Sequence, residues 1–136
     1  MATMLELAQL VVASWIIANE AEKEIPSGDG VFDLALKKAS SDPAFPEWGR
    51  AMLHFVDSRF GLQCLEVETL LSVAGKAKLT TDPNPHYVRT EVATTPRVAR
   101  WLLSRLNVST EAAERIGRAL RMGVLEAEQK QVAATS

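Results

Sequence analysis

The chain has 136 residues, 47% hydrophobic and 24% charged, with a formal net charge of -2. A chain of that length suits one domain that buries about two-thirds of its unfolded surface, and the composition suggests neither an intrinsically disordered chain nor a generic polyanion binder. Cys64 is the single cysteine, which excludes an intramolecular disulfide and favours a reducing compartment, with the thiol expected as a small buried apolar group.

Residues 3–24 are expected to form a helix. Its apolar residues, from Met4 and Leu7 through Trp15, Ile16 and Ile17, cover about 260° of the helical wheel and leave Glu6, Gln9, Glu20 and Glu24 as a narrow polar stripe. A helix that apolar needs cover on several sides. Either it is the central helix of the domain, or another copy of the chain covers one side, with Leu7, Val11 and Trp15 as the candidate oligomer interface. The apolar run from Leu10 to Ala18 has no basic flank and is too short to span a bilayer, so a soluble, cytoplasmic protein is expected.

The turn residues of Ile25-Pro26-Ser27-Gly28-Asp29-Gly30 predict a loop, and Asp29 or Gly30 starts a short helix with Val31, Phe32, Ala35, Leu36 and Ala39 on one face. Ser41-Asp42-Pro43 has the pattern of a cap followed by proline in a first helical turn. The spacing of Trp48, Met52, Phe55, Val56 and Phe60 predicts a helix that stops at Gly61, and another follows from about Leu62 to Lys78. Asp82-Pro83-Asn84-Pro85 breaks the helical period. Beyond it, alternation from Tyr87 to Val92 has strand spacing, so residues 76–92 are a small hairpin, a strand awaiting another edge, or an extended linker.

Thr95-Pro96 opens a helix with Val98, Ala99, Leu102, Leu103 and Leu106 inward. Asn107-Val108-Ser109 ends it, and Ser109 caps a last helix through Gln129 whose inner arc is rich in alanine and glycine. The resulting expectation is a mainly α, single helical domain of five to six helices over residues 1–129. A small β-hairpin at about 76–92 is one of its options, and residues 130–136 are a flexible tail.

Charge is unevenly divided along this plan. Residues 1–88 carry 7 Lys/Arg against 12 Asp/Glu, net -5, and residues 89–136 carry 8 against 5, net +3. The joint Leu106-Asn107-Val108-Ser109, followed by Ala112, Ala113 and Ile116, resembles the helix-turn-helix DNA-binding family over Leu103 to Leu120. Asn107 stands where that family usually has glycine, and Leu103 where it favours a small residue. The resemblance implies a nucleic-acid-binding protein using the hairpin Pro96–Gln129. Against that, Glu111 precedes Arg115, and Glu114 precedes Arg118, by the four residues that favour intrahelical pairing, and acids at the start of a recognition helix oppose phosphate.

The arginines Arg89, Arg97, Arg100, Arg105 and Arg121, with Met122 and Leu125, are therefore read as a partner or anion-binding surface, with Arg105 able to pack on Trp101. His54 and Asp57, near Glu47, form the one cluster with acid–base potential. It has no second histidine or cysteine at ligand spacing and no activated nucleophile, so no catalytic site, metal or cofactor is expected. The expected function is non-enzymatic protein–protein interaction with self-association, nucleic-acid binding is the alternative, and no membrane partner is expected.

Overall fold

A computed structural model describes residues 2–28, 30–59, 61–81 and 89–135, with side chains omitted for Arg89 and from residue 131 onward. Its elements in chain order are α1 (Met4–Ala18), β1 (Glu24–Pro26), α2 (Val31–Ser40), α3 (Glu47–Arg50), β2 (Phe55–Ser58), β3 (Gly61–Cys64), α4 (Val67–Lys76), β4 (Arg89–Glu91), α5 (Pro96–Arg105) and α6 (Thr110–Thr135). The protein is mainly α, with two small antiparallel two-stranded sheets among the described residues.

Helix α1 starts at a reciprocal cap. The Thr3 hydroxyl accepts the Glu6 N–H at 3.2 Å, and the Glu6 carboxylate accepts the Thr3 N–H at 3.0 Å. The helix stops at Asn19, earlier than the predicted residue 24, because Asn19 leaves helical geometry and its side-chain amide donates both to the Trp15 carbonyl and to the Gly117 carbonyl of α6. The chain then folds back so that the Trp15 indole N–H reaches the Glu22 carbonyl at 2.8 Å.

Between Leu7 and Ile16 every described residue of α1 except Gln9 is buried. Helices α4, α5 and α6 pack around it, and α2 packs on the far part of α6. The wide apolar arc thus belongs to a central helix within one chain. Leu7, Val11 and Trp15 are fully buried there, so they are corrected from a candidate oligomer interface to the middle of the core.

The close fit of α6 explains its alanines and glycines. A Cβ on Gly117 would stand 2.5 Å from the Ala18 Cβ and closer still to the Ser14 carbonyl, so the backbones of α1 and α6 cross where no side chain fits. A second close approach places Gly123 against the backbone of Leu34 and Ala35 in α2. Lys38 of α2 also reaches Glu126 of α6 at 3.0 Å, and this hydrogen bond holds the Glu126 carboxyl below its ordinary range. Helix α6 continues to Thr135, past the expected tail boundary at residue 130.

Several further stretches differ from expectation. The predicted helix through Trp48, Phe55 and Val56 shrinks to the single turn α3, with Pro46 as its cap in place of Ser41, and Phe60 lies outside the described residues. Strands β2 and β3 follow, in register from Phe55 with Cys64 to Ser58 with Gly61. Over so few residues a three- and four-residue apolar spacing also fits half-buried strands, and Gly61, with φ of 106°, serves a hairpin and not a helix stop. Helix α4 accordingly starts at Val67 and not near Leu62.

The segment 24–26, expected as loop, is instead the partner of β4, pairing Ile25 with Thr90 and Pro26 with Arg89. On its other side the chain beyond β4 meets residues 79–81 through a Thr80–Val92 bridge and the Thr81 N–H to the Glu91 carbonyl at 2.9 Å. Lys76–Thr81 does therefore approach the strand, through one bridge among the described residues. The proline segment 82–88 lies outside the described residues.

Arg50 stabilises the turn that replaces the predicted helix start. Its guanidinium donates to the carbonyls of Ser40 at 2.7 Å and of Asp42 and Phe45 at 3.2 Å each, and pairs with Glu47. One rigid fork thereby donates to three carbonyls of a turn in which Pro43 and Pro46 supply no backbone N–H.

The α1–α6 crossing yields a test of opposite signs. Gly117→Ala, which at an exposed helical site gains up to about 1 kcal/mol, is expected to cost about 1–3 kcal/mol by forcing the helices apart. Ser14→Ala removes a fully buried hydroxyl that has no hydrogen-bond partner and is expected to be neutral or to gain up to about 1 kcal/mol. Urea unfolding of the two variants checks both signs.

Candidate interaction surface

Helix α5 is set by the Thr95 hydroxyl, which accepts the Val98 N–H at 3.3 Å, and by Pro96, whose fixed φ suits a first helical position. Ala99, Leu102 and Leu103 are buried, and the helix packs against α1. Holding that face inward turns Arg97, Arg100, Trp101, Ser104 and Arg105 outward, all exposed. Val98, expected inward, is 45% exposed because it stands about 100° from Ala99 on the wheel, at the outer edge of the buried arc.

Trp101 is 58% exposed, a large apolar surface for a side chain with core positions available to its neighbours. The Arg105 guanidinium lies 5.0 Å from its ring centroid, the expected cation–π contact. Arg97 and Arg100 have no ion-pair or hydrogen-bond partner among the described residues, and α5 carries no acidic residue.

The joint that follows has the geometry of a tight helical connection. Asn107 adopts φ of 59°, the Val108 N–H returns to the Leu103 carbonyl at 2.9 Å, and the Ser109 hydroxyl caps α6 through the Ala112 N–H at 3.1 Å. Beyond the joint α5 and α6 meet each other little, since each packs on α1.

The arginines of α6 are partnered. Arg118 pairs with Glu114 at 3.3 Å as expected, whereas Arg115 reaches past Glu111 to Asp42 at 3.1 Å. Arg121 pairs with Glu22 at 3.4 Å, which separates it from the free cations of α5. Met122 and Leu125 are exposed three residues apart on α6, on a different helix from the α5 group. Arg89 sits in β4, but its side chain lies outside the described residues. Of the proposed surface, Arg97, Arg100 and Arg105 are brought together on one face with Trp101, and Arg121, Met122 and Leu125 are not part of that face.

The polar cluster anticipated around His54 has different members. Glu47 belongs to Arg50, and the histidine pairs with Glu66, whose carboxylate accepts the His54 backbone N–H at 2.6 Å and lies 3.0 Å from its Nδ1. The Cys64 thiol lies 3.7 Å from the same carboxylate, and the Cys64 N–H donates to Asp33 of α2 at 2.7 Å. These contacts fasten the β2–β3 hairpin to the helices. Sequence spacing gave no sign of the His54–Glu66 pair, because a helix in place of the hairpin puts them several turns apart.

This cluster is poorly suited to nucleophilic chemistry. Burial, opposed by a backbone hydrogen bond from Glu66 and aided by the Glu66 and Asp33 carboxylates, pushes the Cys64 thiol from its ordinary 9.0 up to about 11, away from the reactive thiolate. No group of three or more His, Cys, Asp or Glu side chains among the described residues is arranged to hold a metal ion. A separate cleft of about 430 Å³ at the start of α5 is lined by Ile16, Val92 and Pro96 with Glu20, Lys23, Glu91, Thr94 and Thr95, with no histidine, cysteine or serine among the described residues that line it.

No helix among the described residues is long and apolar enough to cross a membrane. Set against protein-family models, curated proteins and solved structures, the chain matches none of them.

The raised Cys64 pKa predicts about 100-fold less thiolate in the folded protein than in the unfolded chain at about pH 8. An aromatic disulfide reagent is expected to label the native protein much more slowly than the protein in urea. Because the folded value lies above the unfolded one, the stabilising contribution of this thiol is complete below about pH 9 and declines as pH rises toward 11.

Proposed function

We propose that this is a non-enzymatic interaction protein whose contact surface is the outer face of α5. The observation that carries this reading is the exposed Trp101 flanked by the unpartnered Arg97 and Arg100. Tryptophan and arginine are the residue types that most often dominate binding energy at protein interfaces, because each buries a large area and offers directional polar contacts. A helix already satisfied in its fold has no structural need for them there. The single cysteine, which cannot form a disulfide within its own chain, accords with a reducing, cytoplasmic setting.

Self-association fits this reading only through α5 or another exposed face, since the apolar residues of the first helix from Leu7 to Ile16 are buried within their own chain. Nucleic-acid binding is the second reading, favoured by the same free arginines and the capped joint. It is weakened by the acidic partners of Arg115, Arg118 and Arg121, which leave the would-be recognition helix with no free arginine among them.

A photo-reactive side chain installed at Ser104, in the middle of the face, tests the proposal inside cells. It is expected to give a defined protein adduct that disappears with Arg97→Glu and Arg100→Glu, while the same group at exposed Lys76 gives none. Equal adducts at both positions, or adducts to nucleic acid alone, would overturn it.

A further inference from the structure

We propose that the α5 face takes an acidic amphipathic segment of a partner protein, one in which an apolar side chain is flanked about one helical turn away by carboxylates. This rests on the reading of α5 as the contact surface. The complementarity follows from how ten residues are arranged. Arg97, Trp101 and Arg105 follow one another at four-residue intervals, so a cation stands one turn before the indole and another one turn after it, about 12 Å apart along the axis. Arg100 flanks the same ridge on one side and Val98 on the other. The face is therefore an apolar centre of Trp101 and Val98 bounded by three guanidinium groups, with no carboxylate on the helix to satisfy them.

Arg97 and Arg100 present free forks of N–H donors, which match carboxylates two bonds at a time. Next to Arg105 the face runs into a shallow cleft of about 300 Å³ between the start of α1 and the end of α5, walled by Ala2, Trp48 and Leu106. An apolar side chain of the partner seats there or against the indole, while its carboxylates reach the arginines. Glu6, also at the cleft, is held by its reciprocal cap with Thr3 and forms no ion pair with the α5 arginines.

Two observations favour a protein segment over a nucleic acid. Arg105 lies over one face of the Trp101 ring at 5.0 Å, which takes that face from the flat stacking that single strands use on aromatic platforms and leaves the rest of the indole to an apolar side chain. The cationic stretch is also short. Polyanion binding draws its strength from a run of phosphate contacts, whereas here three cations are followed directly by Glu111 and Glu114 at the start of α6, on a chain of net charge -2.

Fluorescence anisotropy of the full chain with three labelled probes tests the inference: a helical peptide of about 15 residues with glutamates flanking leucines, its glutamine counterpart, and an oligothymidylate of similar length. The glutamate peptide is expected to bind at least ~10-fold more tightly than either other probe, and to lose ~10-fold with Arg97→Ala plus Arg100→Ala or with Trp101→Ala, all exposed positions. Arg118→Ala, on the paired helix, is expected to leave binding unchanged. Equal binding of the two peptides, tighter binding of the oligonucleotide, or no peptide binding overturns the inference. If that happens while the Ser104 protein adduct persists, the contact surface stands and the partner class is wrong; loss of both removes the wider reading as well.

Discussion

The enclosure of α1 is the constraint on which the rest of the fold depends. A helix with apolar residues on nearly every side has no face to give to water, so α4, α5 and α6 must surround it before the chain is stable. Each fully buried leucine, valine or isoleucine of that helix contributes about 1.5–3 kcal/mol relative to exposure, which makes its cover the largest apolar gain available to the chain. The need for close cover then explains α6. Gly117 lets its backbone rest on Ser14 and Ala18, and Gly123 does the same against α2, so the lower helix propensity of glycine is exchanged for tight packing.

That packing also decides what the arginines do. Helix α6 lies between α1 and α2, which brings its polar edges beside acidic residues from elsewhere in the chain. Asp42 meets Arg115 and Glu22 meets Arg121, while Glu126 answers Lys38. Such exposed pairs add little stability, but they occupy the cations. Helix α5 packs chiefly on α1 and has no acid of its own, so Arg97 and Arg100 remain free beside an exposed tryptophan on which Arg105 rests. The functional proposal grows out of that difference between two adjacent helices of similar charge.

Much of this was legible in the residues, and the failures have physical causes. The helices α2 and α5 were readable because their apolar periods are long and their starts are marked by Gly30 and by Thr95-Pro96. The β2–β3 hairpin was not, because Phe55 and Val56 satisfy helical and strand patterns alike over a few residues, and only the tertiary position against α2 separates them. The β1–β4 pairing joins residues about 65 apart, and no local pattern in Ile25-Pro26 announces so distant a partner. Within the α5 face, Arg97, Arg100, Arg105 and Trp101 follow directly from helical spacing, whereas the loss of Arg121 to Glu22 depends on where the chain returns after α1. The packing of α4, α5 and α6 around α1 makes Leu7, Val11 and Trp15 core residues, a choice that periodicity alone left open between one chain and two.

Native-state hydrogen exchange tests the enclosure most directly. If α1 is covered by its own chain, the amides of Val11 to Ile16 exchange only through global unfolding, at rates that do not change over about a 100-fold range of protein concentration. Protection of these amides that falls on dilution would mean that a second copy supplies part of the cover, and would contradict the account.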